Sequence, residues 1–317
     1  MELKYHGTQW LKEGFVYPTL YDYIEKTKQE LTKPLHAPEY AVAGEEDRLR
    51  SVSEKVQTNP YQSRAAFSEL IKRETASYEN VRPLSYRENV LLYDICVFAV
   101  KRMMNLNPII FLYKANNVGK MYNAFASDYQ DKVWIYISEQ FFLEEQMLRE
   151  EELCFLVGHE LGHAQCHHIY IANVNRSSTS DDEYSADRAG LIACTEWIRR
   201  KHPEYSAEHA ARLAVIYSAA MLLKLSLGAE MGPGNNDWSV FNYALVENSI
   251  QEVFRGASKL NVSEGTHPHT QHRIMAMILF SQSEMFYRCL KVDTAGMEGL
   301  YSDQQLNTVM SYQLVGS

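Results

Sequence analysis

The chain has 317 residues, of which 46% are hydrophobic and 22% charged, a composition typical of globular proteins and not of disordered ones. Its formal charge of −9 and lack of a basic cluster argue against a nucleic-acid partner, because phosphate binding requires a basic surface. The five cysteines form no Cys-x-x-Cys pair. Met1–Lys12 has no continuous apolar run of the kind found in a secretory signal, and the most apolar stretch, Leu213–Leu223, is too short to span a membrane. We therefore expect a cytoplasmic protein without a transmembrane segment.

In chain order, residues 1–85 are predicted to form a helical or irregular extension, residues 86–290 the main domain and residues 291–317 a tail. Short β-branched and aromatic runs predict strands at Ile109–Tyr113, Met121–Ala126 and Val133–Ile137. After them, helical patterns extend over Leu148–His167, Tyr184–Arg200, Ser206–Leu227, Trp238–Arg255 and His269–Leu290. A small mixed or antiparallel sheet followed by helices predicts an α+β fold that is mostly helical.

The first of these helices carries the motif His159-Glu160-Leu161-Gly162-His163. Residues four apart lie on one face of a helix, so both imidazoles can bind the same ion. Catalytic zinc takes three protein ligands and leaves one position open. Glu160 is rotated by about 100° from His159, which places it too far round to be an obvious ligand. It can still reach water at the open position, which makes it the candidate general base.

Two glycines interrupt the helix that carries this motif. Gly158 and Gly162 are each less favourable than alanine in a helix by about 1 kcal/mol, so we expect another backbone or a substrate to approach closely there. The alternative to a metal site is a chance pattern on a buried polar helix that holds no ion.

A second acidic motif begins at Glu183, and Asp187 follows four residues later. Glu183 can complete a site of two histidines and one carboxylate. Asp187 can accept a hydrogen bond from the outer nitrogen of a ligand histidine, which orients the imidazole. The alternative is a solvated acidic helix start, which is common.

Three other side chains near His163 are possible ligands by spacing alone. We interpret Cys166 as a helix residue near the site, and His167 and His168 as surface residues at the end of the helix. The position six residues after His163, where some zinc sites have a third histidine, is Ile169.

Over residues 108–280 these motifs resemble the zinc metallopeptidase family that includes the CAAX prenyl proteases, HtpX-like heat-shock proteases and Oma-type proteases. Two further segments are similar to that family: Asn123-Ala124-Phe125-Ala126 resembles its edge strand, and Thr266-His267-Pro268 with Arg273 resembles its downstream His-Pro segment. The resemblance implies a zincin-like fold with one zinc ion per chain, held by His159, His163 and Glu183. It also implies that Asp187 supports a ligand histidine. The strand of Asn123, Ala124, Phe125 and Ala126 would align an extended peptide; without the resemblance, an interior strand is the simpler interpretation.

These observations predict a zinc-dependent endopeptidase that acts on peptide or unfolded protein, with Glu160 as the base. His267 or Arg273 would stabilise the oxyanion. His267 could instead plug the zinc, and Arg273 could act through structure alone. Two alternatives remain: a zinc-containing peptide-binding or chaperone-like module, and a latent protease whose cleft is covered. Many family members span a membrane, whereas this chain has no convincing membrane span, so prenylated or membrane-protein substrates are not implied for it.

Overall fold

The computed structural model describes residues 36–58, 78–115, 124–129, 132–143, 148–168, 180–231, 246, 250–251 and 270–315. The helices in these ranges are α1 Glu45–Thr58, α2 Val90–Met104, α3 Gln140–Leu143, α4 Glu150–Gln165, α5 Ser180–Lys201, α6 Ala207–Met231, α7 Thr270–Ser281, α8 Glu284–Cys289 and α9 Asp303–Val315. The strands are β1 Tyr78–Pro83, β2 Asn107–Ala115, β3 Ala124–Tyr129 and β4 Lys132–Ser138. This arrangement, mostly helical with a small sheet, is compatible with the predicted α+β class.

The sheet has the strand order β1-β2-β4-β3. Strands β2 and β4 are parallel, whereas β1 pairs antiparallel with β2 and β3 pairs antiparallel with β4. The sheet is therefore mixed, which was one of the two predicted forms. Among the described strands, β3 lies at one edge of the sheet. Strand β1 was not predicted, because its sequence lacks the β-branched alternation of the other strands.

The alternation along β4 explains how the sheet meets the helices. Val133, Ile135 and Ile137 are fully buried and belong to the main hydrophobic core, because side chains two apart point to the same face of a strand. On the opposite face, Trp134 and Tyr136 stack on Phe111 of β2. The helical side carries the metal motif, since α4 packs against the edge strand β3.

Helices α4 and α5 pack together more closely than ordinary helices do. A Cβ atom added at Gly158 would lie 2.6 Å from the Ala193 Cβ, and one added at Gly162 would lie 2.8 Å from the Ala186 Cα. Conversely, a Cβ at Gly190 would meet the Phe155 ring at 2.7 Å. The expectation that another backbone approaches these glycines is confirmed.

A buried ion pair fixes the other side of α4. The Lys224 Nζ of α6 donates to both carboxylate oxygens of Glu152, at 2.9 and 2.7 Å. Glu152 also accepts a hydrogen bond from the Arg149 backbone N–H at 2.9 Å, which caps the start of α4. The helix that carries the metal motif is thus held at its N-terminus by charge and along its length by close packing.

Segments on both sides of the predicted main domain contribute to the same core. Tyr40 and Val42 belong to it, and so do Leu306 and Met310 of α9. The Arg188 Nη1 donates to the backbone carbonyls of residues 40 and 41, at 3.1 Å in each case. The division at residues 85 and 290 stays a prediction, but core contacts reach beyond both positions.

The prediction of a single helix over His269–Leu290 is wrong, because α7 ends at Ser281 and a separate helix, α8, begins at Glu284. Ser283 is the N-cap of α8, and its hydroxyl accepts a hydrogen bond from the Phe286 N–H at 3.2 Å. The predicted helix Trp238–Arg255 lies almost wholly outside the described residues. Among the helices that the structure describes, none combines the length and the apolar character needed to cross a membrane.

The close packing of α4 on α5 can be tested by the direction in which Gly162→Ala changes the free energy of unfolding. Helix propensity alone predicts that Gly162→Ala stabilises the fold by about 1 kcal/mol. We expect the opposite: the new methyl group overpacks against Ala186 and Ala189, which costs about 1–3 kcal/mol and outweighs the gain in propensity. Urea unfolding with a chelator present measures the effect without a metal contribution. A variant more stable than wild type would contradict the packing described here.

Candidate metal centre

The two histidines of α4 direct their Nε2 atoms towards a common point. His159 and His163 are one helical turn apart, and their Nε2 atoms are 3.1 Å from each other. The rings meet edge to face, with centroids 4.7 Å apart. Because both outer nitrogens, Nδ1, face away from this point, each imidazole is placed to offer its Nε2 lone pair to one ion.

Glu183, in the first turn of α5, provides a third ligand atom. Its Oε2 lies 3.6 Å from the His159 Nε2, and its Oε1 lies 3.7 Å from the His163 Nε2. Ligands at about 2.0–2.1 Å from a tetrahedral zinc ion are about 3.3 Å from one another. The two Nε2 atoms, 3.1 Å apart, are close to that separation, and each has one of the two Glu183 oxygens at 3.6 or 3.7 Å. These three residues could therefore hold a metal ion.

Asp187, one helical turn after Glu183, lies behind the first histidine. Its Oδ1 is 3.0 Å from the His159 Nδ1, and the carboxylate is fully buried. Hydrogen bonding at Nδ1 places the proton there and leaves Nε2 free for a metal. The predicted role of Asp187 as support for a ligand histidine is consistent with this geometry.

Arg273 of α7 binds both carboxylates from α5. It donates from Nε and Nη2 to the two oxygens of Asp187, at 2.7 and 2.6 Å, and its Nη1 lies 3.2 Å from the Glu183 Oε2. All three guanidinium nitrogens are thus engaged with these two residues. This arrangement favours the structural role that was the alternative for Arg273, over direct contact with an oxyanion.

Burial and neighbouring charges move the pKa values of the two histidines in opposite directions. Burial disfavours the His159 cation, but the hydrogen bond to Asp187 and its charge outweigh that effect, so the pKa of His159 is raised. Burial lowers the pKa of His163 well below its usual value, and the nearby His159 and His168 lower it further. His163 is therefore neutral and ready to bind a metal at neutral pH.

The interpretation of His168 as a surface residue is wrong. It is buried, with 4% of its surface exposed, and its Nδ1 lies 2.8 Å from the Nδ1 of His163. The cause is the end of α4: Cys166 caps the helix and His167 has a φ of +54°, which turns the chain back. Histidine is among the residues enriched in this left-handed conformation. Helical periodicity could not place His168, because the helix ends before it.

Some of the other predicted site residues lie within the described residues, and others lie outside them. Glu160 is next to His159 and is 9% exposed. Ala124 and Ala126 are buried on β3, and Phe125 pairs with Tyr136 through the backbone. Asn123 and His267 lie outside the described residues, so their predicted roles stay predictions.

Comparison with known proteins adds no identification. No family model matches the chain, and no curated protein matches it. The case for a function therefore rests on the geometry of the site.

Zinc binding is expected to release a proton from His159. Its raised pKa keeps this imidazole protonated to higher pH than an ordinary histidine, and a metal ligand must be neutral. The apparent zinc affinity should therefore fall as the pH decreases through the His159 pKa, by up to about tenfold per pH unit. Calorimetry in buffers with different ionisation heats would count the protons.

Asp187→Asn is the matched variant for this measurement. Removing the carboxylate removes the cause of the raised pKa, so the loss of zinc affinity should begin at lower pH. The assignment of the released proton to His159 would be contradicted if zinc binding to the wild type released no proton below neutral pH. It would also be contradicted if the wild type and Asp187→Asn released the same number of protons at each pH.

Proposed function

We propose that the chain is a zinc-dependent endopeptidase with a single zinc ion bound by His159, His163 and Glu183. The observation that carries the proposal is the convergence of two imidazole nitrogens and the Glu183 carboxylate, with a second carboxylate, Glu160, beside the first ligand on the same helix. The resemblance to the CAAX prenyl protease and HtpX-like family, with its zincin-like fold, supports the same conclusion.

The donor set favours zinc over magnesium and calcium. Two imidazole nitrogens and one carboxylate are a common ligand set for catalytic zinc, whereas magnesium and calcium bind mainly oxygen. Three protein ligands also leave one coordination position open, which a hydrolytic site requires and a structural zinc site lacks.

When bound, zinc lowers the pKa of a coordinated water to about 7 and polarises a carbonyl. The residues of the chain supply the rest of the reaction. The carboxylate of Glu160 accepts a proton from the attacking water and donates it to the nitrogen of the leaving amine. Asp187 holds the proton of His159 on Nδ1, and Arg273 holds both carboxylates of α5 in place.

The charge of the site supports this assignment. Glu160, Glu183 and Asp187 provide three carboxylates, and Arg273 provides one cation. A divalent ion bound by neutral histidines would bring the formal charge of this group to zero. Without the ion, protonation of His159 would offset only part of this negative charge, and the remainder is costly to bury.

An extended polypeptide is the substrate class that best suits the sheet. Within the described ranges, β3 pairs only with β4 and leaves its other edge available, next to α4. Pairing of a substrate with a strand edge uses main-chain hydrogen bonds, which fix the scissile bond independently of sequence. Folded proteins lack a free extended segment, so we expect unfolded or flexible chains to be cleaved.

Glu160→Gln tests the role of the base. The variant keeps all three ligands, so we expect one bound zinc per chain, measured by elemental analysis. Hydrolysis of casein or a quenched fluorescent peptide should fall by about 100-fold or more, because general-base catalysis contributes about 10²–10⁴-fold. Glu151→Gln on the same helix is the matched control and should keep wild-type activity.

Retention of hydrolysis by Glu160→Gln would refute the assignment of the base. If the wild-type chain binds zinc and an extended peptide but shows no turnover, the chain is the peptide-binding module considered above. Activation of wild-type hydrolysis by limited proteolysis would instead indicate the latent protease.

A further inference from the structure

A second series of polar contacts leads away from the metal centre through His163. The His163 Nδ1 lies 2.8 Å from the His168 Nδ1, and the His168 Nε2 lies 3.4 Å from the Glu45 Oε1. Both His168 and Glu45 are buried. Within the described ranges, the His168 Nε2 and the Glu45 Oε1 are both buried, and neither makes a hydrogen bond of regular geometry. The Glu45 Oε1 is the nearer of the two carboxylate oxygens beside the His168 Nε2, since the Asp182 Oδ1 lies 4.0 Å away.

The positions of the ring protons follow from the use of the His163 Nε2 as a metal ligand. A metal ligand uses the lone pair of the His163 Nε2, so the proton of that neutral ring is on Nδ1. The His163 Nδ1 then donates to the His168 Nδ1, which must accept. The proton of His168 is therefore on Nε2, directed at the Glu45 carboxylate.

Glu45 is itself held in place by a cation. The Arg48 Nη1 lies 3.1 Å from the Glu45 Oε2, and its Nη2 lies 2.6 Å from the Asp182 Oδ1. Glu45, His168 and Asp182 also have the spacing of a metal site. The Arg48 guanidinium already binds an oxygen of Glu45 and an oxygen of Asp182. Its positive charge would repel a divalent ion placed beside it. The group is better explained as a support for His163.

From this series we infer that His168 and Glu45 are positioning residues for the metal ligand His163. They fix its tautomer and ring orientation as Asp187 does directly for His159. The inference rests on the proposed function, since it takes His163 as a zinc ligand. It also assigns a role to α1: a helix about 115 residues before His163 in sequence supplies the carboxylate that completes the metal centre.

The two ligand histidines are supported in different ways. Asp187 bonds His159 directly and is held by Arg273, whereas Glu45 acts through His168 and is held by Arg48. In both cases an arginine anchors the carboxylate. Supporting residues of this kind change metal affinity by about 10–100-fold when removed.

Zinc dissociation constants of the full chain, measured by competition with a chromophoric chelator, test the inference. We expect His168→Leu to weaken zinc binding by about 10–100-fold. His168→Asn should restore most of the affinity, because the asparagine oxygen can accept from the His163 Nδ1. Glu45→Gln should weaken binding in the same direction. Glu46→Gln is the matched control: its carboxylate is on the same helix turn but bonds the exposed His36 and the Ala37 N–H.

A spectroscopic signature separates positioning from a purely structural role. In zinc-loaded protein with ¹⁵N-labelled histidine, we expect the proton of His163 on Nδ1 and that of His168 on Nε2. Equal zinc constants for His168→Leu and wild type, with only the metal-free unfolding midpoint lowered, would overturn the inference. If His168→Leu does not fold, equal constants for Glu45→Gln and Glu46→Gln would overturn it.

The controls also separate this inference from the proposed function. Failure of the wild-type chain to bind zinc would remove both. Zinc binding by wild type that none of the His168 and Glu45 variants weakens would remove the positioning role alone and leave the endopeptidase proposal in place.

Discussion

The contact between α4 and α5 is the constraint on which the rest of the structure depends. Without side chains at Gly158, Gly162 and Gly190, the two helix backbones approach closely enough to bring a carboxylate from one beside the imidazoles of the other. Ligand separations at a metal site tolerate errors of only a few tenths of an ångström. Packing of the backbones, which is less adjustable than side-chain rotamers, sets those separations here.

Ion pairs then fix the orientation of the carboxylates near the contact between α4 and α5. Two buried carboxylates near the candidate metal centre are each paired with an arginine, Asp187 with Arg273 and Glu45 with Arg48. Such pairs are costly to bury and add little to stability on their own. Their value lies in fixing orientation: a carboxylate held by an arginine cannot rotate away from the imidazole that it supports.

The sequence predicted the part of the site that follows from helical periodicity. The positions of His159, His163, Glu183 and Asp187 depend only on residues four apart sharing a face, so short-range rules were enough. Strand β1, the break between α7 and α8 and the burial of His168 depend on interactions between distant segments or on one residue with a positive φ. Local patterns do not contain that information, and this is also why the contribution of Glu45 was missed.

The metal centre is assembled from separate parts of the chain: α4, α5, α7 and, through His168, α1. An ion that binds only this assembled form stabilises it by mass action, in proportion to the logarithm of the free metal concentration. A chain that binds a metal here and is then deprived of it would lose that stabilisation and would open more readily to cellular proteases. Under the proposed function, the abundance of the protein in a cell would therefore follow the supply of a nutrient ion.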